Sequence, residues 1–106
     1  MTHEVIFAPE ALADLFDLYD TIAADAGAGR AQSYTDRIVA ACRNLVMFPE
    51  RGTRRDDLRP GLRTTTYRRR VTIAYHITKT QVIVDRILYG GRNLSALFTE
   101  GDDDSA

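Results

Sequence analysis

The chain reads as an α+β domain: an N-terminal strand, an antiparallel hairpin of two helices packed on a small, mainly antiparallel sheet, and a short C-terminal helical turn. Two stretches with helical apolar spacing, followed by stretches with strand alternation, predict it. A polar segment rich in Arg, Pro and Gly separates the two halves. At 106 residues there is room for one core. A single domain is expected over residues 1–99, with an acidic, disordered tail at 100–106.

Val5, Ile6 and Phe7 form a short apolar run closed by Ala8 and Pro9, the pattern of a first strand. Pro9 suits the first position of a helix, and Glu10 and Asp14 follow where the helix dipole favours acids. Leu12, Leu15, Phe16, Tyr19, Ile22 and Ala23 mark one face of that helix, and Asp14, Asp17, Asp20 and Thr21 much of the other. The run Ala26, Gly27, Ala28, Gly29 breaks it. A second helix is expected from about Arg30 to Met47, where Ala31, Tyr34, Ile38, Ala41 and Leu45 recur at helical spacing and Cys42 and Val46 widen the stripe. Phe48 and Pro49 stop it. Neither helix buries its stripe alone, so the pair needs a sheet to sit on.

Residues 50–61 read as a polar loop, and three strands of one antiparallel sheet follow between Pro60 and Tyr89. Val71, Ile73, Tyr75 and Ile77 share one face; Thr72, Ala74, His76 and Thr78 share the other. After a turn at 78–81, Val82, Val84, Arg86 and Leu88 fall on one face and Ile83, Asp85, Ile87 and Tyr89 on the opposite one. Apolar residues on both faces predict a central strand covered twice, by the helices and by something else. Leu94 to Phe98, after Gly90 and Gly91, reads as the helical turn.

A net charge of −1 hides strong segregation. Residues 1–25 carry six acids and no Lys or Arg, whereas residues 51–70 carry eight arginines against Asp56 and Asp57. Of the 14 basic residues 13 are Arg, the planar fork suited to carboxylates, phosphates and base edges. A coding bias towards Arg explains the choice of cation but not its crowding. The single Cys42 excludes an internal disulfide, and with only His3 and His76 beside it there is no zinc-ligand spacing, so no metal or cofactor is expected. No stretch approaches the about 18 apolar residues of a membrane span and the N-terminus lacks a signal-peptide pattern, so a cytoplasmic location is the expectation.

Four segments carry a family resemblance. They are Pro9-Glu10-Ala11 with Asp14-Leu15, Phe48-Pro49-Glu50-Arg51-Gly52, Arg59-Pro60-Gly61-Leu62-Arg63, and the run from Val82 to Asn93 that includes Tyr89, Gly90, Gly91 and Arg92. In that order, over nearly the whole chain, they resemble the ParE branch of the RelE/ParE toxin superfamily. The resemblance implies a toxin encoded beside a small antitoxin that wraps and silences it. ParE members are associated with inhibition of DNA gyrase, and RelE members with cutting messenger RNA on the ribosome.

For target binding the candidates are Arg59, Arg63, Tyr67, Arg68, Arg70, Arg86, Tyr89 and Arg92. Clustered arginines repel one another unless an anionic partner offsets the cost, and Tyr supplies contact area with a polar tip. Arg86, in an otherwise apolar strand, must find a partner or reach water; an acid on a neighbouring strand or in the tail is one outlet, a functional contact the other. For the antitoxin the candidates are Leu62, Val82, Val84 and Leu88, expected as an apolar groove on the sheet face away from the helices, with Arg69 meeting the partner's acids. Tyr75 and Cys42 read as core, and His76 as a strand histidine with no Ser or Cys to activate.

Cutting RNA through its 2′-hydroxyl needs a base and an acid as well as cations. By resemblance, RelE toxins fill these roles with Lys, Arg and a C-terminal Tyr. Here Lys79 falls in a turn, Phe98 lacks a hydroxyl, and arginine stays protonated at working pH. The expectation is therefore a gyrase-binding toxin without a catalytic centre. The alternatives are a ribosome-dependent endoribonuclease and a harmless basic module that binds a partner or nucleic acid.

Overall fold

A computed structural model describes residues 3–90 and Leu97. The elements are β1 (Glu4–Phe7), α1 (Pro9–Ala26), α2 (Ala28–Arg43) with a 3₁₀ turn at Asn44–Val46, β2 (Thr53–Arg54), β3 (Arg63–Tyr67), β4 (Val71–Ile77) and β5 (Gln81–Tyr89). Five strands form one sheet in the order β1-β5-β4-β3-β2, with β1 parallel to β5 and every other pair antiparallel. The α+β architecture is the expected one, with one added strand: Thr53 and Arg54, inside the expected loop, pair with Thr64 and Arg63. Leu97 has helical conformation; the rest of the expected C-terminal turn, Arg92 and the 100–106 tail lie outside the described residues.

Pro9 opens α1 after an extended Ala8, as read from the sequence. The break between the helices is shorter than expected. Gly27 alone, at φ +94°, reverses the chain, and its N–H still bonds to Ala23 O. Gly29 therefore lies inside α2, which starts at Ala28.

The core lies between the helices and one face of the sheet. Ala11, Leu15 and Leu18 of α1 and Ile38, Cys42 and Leu45 of α2 and its 3₁₀ extension pack on Val71, Ile73, Tyr75, Val82, Val84 and Ile87. The α1 stripe is rotated from the expected one: Leu12 and Phe16 face out, Phe16 being 69% exposed, while Ala11, Asp14 and Leu18 turn inward. Burial of Cys42 pushes its thiol up to about 12.

A β-bulge in β5 reorganises the sheet's faces. Tyr75 pairs with Val84 but Ala74 pairs with Arg86, so Asp85 is the extra residue. The alternation expected along β5 therefore fails at its midpoint. Val82 and Val84 share the helix-side core with Ile87, and Leu88, opposite Thr72, falls on the far face. That face is covered too, as expected for a central strand. Leu62, Ala74 and Leu88 are buried outside the helix-side cluster, and Arg59 of the 55–62 loop is tied to Asp85 at 2.9 Å.

This overturns the apolar groove expected from Leu62, Val82, Val84 and Leu88. All four are at most 1% exposed, the valines in the helix-side core and the leucines buried outside it, so none offers a free surface.

Candidate functional site

The residues singled out in the sequence fall into three separate places. Arg86 belongs to a structural one. β1 ends at Phe7, opposite Val84, so the next stretch of β5, still paired with β4, has no described strand along its other edge. Asp14, only 6% exposed, takes over from α1: its Oδ2 accepts the Ile87 N–H at 2.8 Å, and the carboxylate receives Arg86 Nε and Nη2 at 2.9 and 3.0 Å. The hydrogen bond to Asp14 pushes the Arg86 pKa further up against the opposing effect of burial. Among the described residues the partner is thus an acid on a helix rather than one on a neighbouring strand.

Arg59 and Arg63 lie at a second place, by the far end of β4. Asp85 Oδ2 accepts from Arg59 at 2.9 Å and pairs with His76 Nδ1 at 2.7 Å. Arg63 sits opposite Tyr75 in the sheet, and its Nη1 donates to Glu50 O at 2.7 Å. Tyr75 is core, as read; its hydroxyl shares its one proton between the carbonyls of Pro49 and Arg51 and so fastens the chain leaving α2.

Tyr67, Arg68, Arg69, Arg70 and Tyr89 converge at the third place. Tyr67 pairs with Val71 and Val71 with Tyr89, which brings the β3–β4 hairpin and the end of β5 to one pole of the sheet. The hairpin turn is tight, with Arg70 N–H on Tyr67 O at 3.1 Å and Gly90 N–H on Arg70 O at 2.8 Å. Its two central residues, Arg68 and Arg69, have φ of 52° and 61°. Positive φ at both is the type I′ pattern that favours Asn-Gly, and L-residues there cost about 1–2 kcal/mol each. All three arginines of the tip are exposed.

Tyr34 of α2 is the hub of this pole, and the sequence reading missed it. Its ring meets those of Tyr67 and Tyr89 edge to face, both at 6.2 Å between centroids. Its hydroxyl is buried without a hydrogen-bond partner among the described residues, and burial, with Tyr89 and Tyr67 beside it, pushes its pKa up. Arg68 stands over the Tyr67 ring at 5.6 Å, and Arg30, Ser33, Tyr34 and Arg37 of α2 line a groove of about 290 Å³. Arg30 and Arg37 were also missed. They belong to no crowded run, and only the helical spacing of 30, 34 and 37 hints that they share a face with Tyr34.

The main exposed apolar surface is elsewhere. Leu12, Phe16, Tyr19 and Val39 line a groove of about 460 Å³ between α1 and α2, with Asp20, Gln32 and Asp36 among its other walls. Met47 and Phe48 expose a second patch beside Pro49 and Ile77. No described helix is long and apolar enough to cross a membrane, and no metal-binding cluster of His, Cys, Asp or Glu occurs among the described residues.

A two-helix layer on a mixed five-stranded sheet, with a cationic hairpin tip and an exposed apolar groove on the helices, defines a small α+β domain. Residues 5–94 match the family model described as the ParE toxin of the type II toxin-antitoxin system parDE. The chain is 34% identical to Toxin ParE3 of Caulobacter vibrioides over 83 residues, 78% of this chain and 82% of that protein. A solved structure described as the chromosomal ParDE toxin-antitoxin system of P. aeruginosa shares the fold, with a TM-score of 0.74 at 23% identity over 84% of this chain and 97% of that one. This chain belongs to the ParE family of type II toxin-antitoxin toxins, and membership implies an antitoxin partner.

Proposed function

We propose that this toxin stops growth by binding DNA gyrase without chemistry of its own, and that a cognate antitoxin silences it through the α1/α2 groove. The observation that carries the reading is the arginine–tyrosine pole. It is a cationic tip held on a packed aromatic hub, and its side chains are guanidinium, hydroxyl and phenol, none of which serves as a base near neutral pH. Such a tip grips a target rather than turning one over. The groove suits the partner: Leu12 and Phe16 offer apolar anchors, and Asp20 and Asp36 ask for basic residues flanking them, the requirements of an amphipathic helix. This replaces the far sheet face as the docking surface.

One observation favours a second reading, an endoribonuclease. The His76–Asp85 pair orients an imidazole beside Arg59, and a carboxylate on Nδ1 leaves Nε2 to exchange a proton. It lies five residues along β4 from Val71, roughly 17 Å at about 3.4 Å per residue, towards the end of the strand away from the tip. Purified toxin added to a supercoiling assay, alongside induction in a bacterium with transcripts followed, separates the two. Gyrase inhibition with intact transcripts is expected; unaffected gyrase with cut transcripts would replace the first reading by the second.

A further inference from the structure

We infer that the pole around Tyr34 is a polyanion site that takes the phosphodiester backbone of nucleic acid directly, with Arg30, Arg37, Arg68, Arg69 and Arg70 as its cations. The inference concerns the same pole that carries the gyrase reading, but it does not require gyrase to be the target. Its first ground is pairing. Among the described residues Arg54, Arg55, Arg59 and Arg86 each hold a carboxylate, whereas the five guanidinium groups at the pole, like those of Arg43, Arg51 and Arg63, have no salt bridge; the pole is where five of them gather. Asp36, the acid beside Arg37 in sequence, accepts instead from Gln32 at 2.8 Å.

The second ground is local strain. Arg68 and Arg69 occupy left-handed backbone that Asn and Gly adopt more readily, and Arg30 stands in the first turn of α2, where the dipole disfavours a cation. Three independent choices against local preference, all adding positive charge at one pole, point to a ligand that offsets them. The third ground is what the pole lacks. A peptide partner draws most of its affinity from buried apolar anchors, and the large exposed apolar side chains other than Tyr89 lie elsewhere, at Leu12, Phe16, Met47 and Phe48. A ligand bound here gains charge contacts and aromatic faces, the combination that suits a nucleic-acid backbone. The 15 acids of the sequence leave the whole chain at −1, so attraction is confined to the pole.

The test uses purified toxin without gyrase and short labelled duplex DNA, single-stranded DNA and RNA, followed by fluorescence anisotropy. Four to five phosphate contacts give a salt slope of about −3.6 to −4.5 on duplex DNA, so raising salt from about 50 to about 200 mM should weaken binding about 150- to 500-fold. Arg68→Gln and Arg70→Gln should each flatten the slope by about 0.9, while Arg54→Gln, at the Asp56 pair, should leave it unchanged. Circular dichroism melts confirm that each variant is folded. Binding to any of the three nucleic acids with this pattern supports the site and shows which backbone it takes. No binding at low salt overturns it. So does equal weakening by Arg54→Gln, or displacement of nucleic acid by polyglutamate at equal charge. Because gyrase is absent, a toxin that binds nucleic acid yet leaves supercoiling untouched would fail the gyrase reading alone.

Discussion

Replacing Asp14 tests how α1 is joined to the sheet. Asp14→Ala removes both hydrogen bonds to Arg86 and the acceptor of the Ile87 N–H at once. Breaking a buried ion pair from one side costs about 3–5 kcal/mol, and an orphaned buried N–H about 1–3. The Arg86 side chain is 22% exposed and regains some water, so the sum should fall at about 3–5 rather than higher. Asp14→Asn keeps an acceptor for Ile87 and should cost about 2–3. Replacing both partners, Asp14→Leu with Arg86→Met, leaves no uncompensated charge but still strands the Ile87 N–H, so it should cost only about 1–3. The double variant should therefore be more stable than Asp14→Ala alone. Urea unfolding followed by circular dichroism, compared at constant m, reads the differences. A loss below about 1 kcal/mol for Asp14→Ala, or a double variant as unstable as the sum of its single changes, would show that the carboxylate does not stand in for a strand partner.

Other outcomes follow from separate features. Gly52→Ala should destabilise by about 2–4 kcal/mol in the same unfolding assay, because its backbone has φ +90° and a Cβ there would sit 2.5 Å from Thr64 O. The Cys42 thiol should react with thiol reagents only as the protein unfolds. Because its folded pKa of about 12 stands above the reference of 9.0, its contribution is complete below pH 9 and is lost as pH rises towards 12, and Cys42→Ala should make that alkaline loss shallower. Phe16→Glu should change stability by no more than about 0.5 kcal/mol yet weaken the antitoxin complex about ten- to a hundredfold by calorimetry, with growth arrest by the toxin alone intact. Converting the turn with Arg68→Asn and Arg69→Gly should raise stability by about 1 kcal/mol while lowering affinity for nucleic acid, a trade readable from a melt and an anisotropy titration together.

The strongly periodic parts of the fold were legible in the sequence. Alternation placed Val71, Ile73 and Tyr75 in the core, and Pro9 and Phe48-Pro49 bounded the helical half. What escaped depends on contacts far apart in the chain. Nothing in the run from Val82 to Tyr89 marks the bulge, although the adjacent charges Asp85 and Arg86 stand where it falls. The α1 stripe was misjudged by its rotation, because Asp14 turns inward to meet an arginine 72 residues away. The candidate site was half visible. A crowded run gave the Arg68 to Arg70 tip, but Tyr34, Arg30 and Arg37 join it only because the N-terminal half of α2 comes to rest against the ends of β3 and β5.

The place of β5 in the sheet sets the order of assembly. It is the last strand of the described chain, yet it lies between β1 and β4 and carries the contacts that hold α1. A hairpin such as β3–β4 is marginal alone, and the parallel pairing of residues 4–7 with 81–84 closes a loop over most of the chain. During synthesis the helices therefore wait, with their apolar faces uncovered, until Gln81–Tyr89 has been made. Folding should be slow for a domain this small, as its topology rests on distant partners. A nascent chain truncated before β5 has no rigid frame for its arginine tip, so the tip takes its shape only once Gln81–Tyr89 has been made.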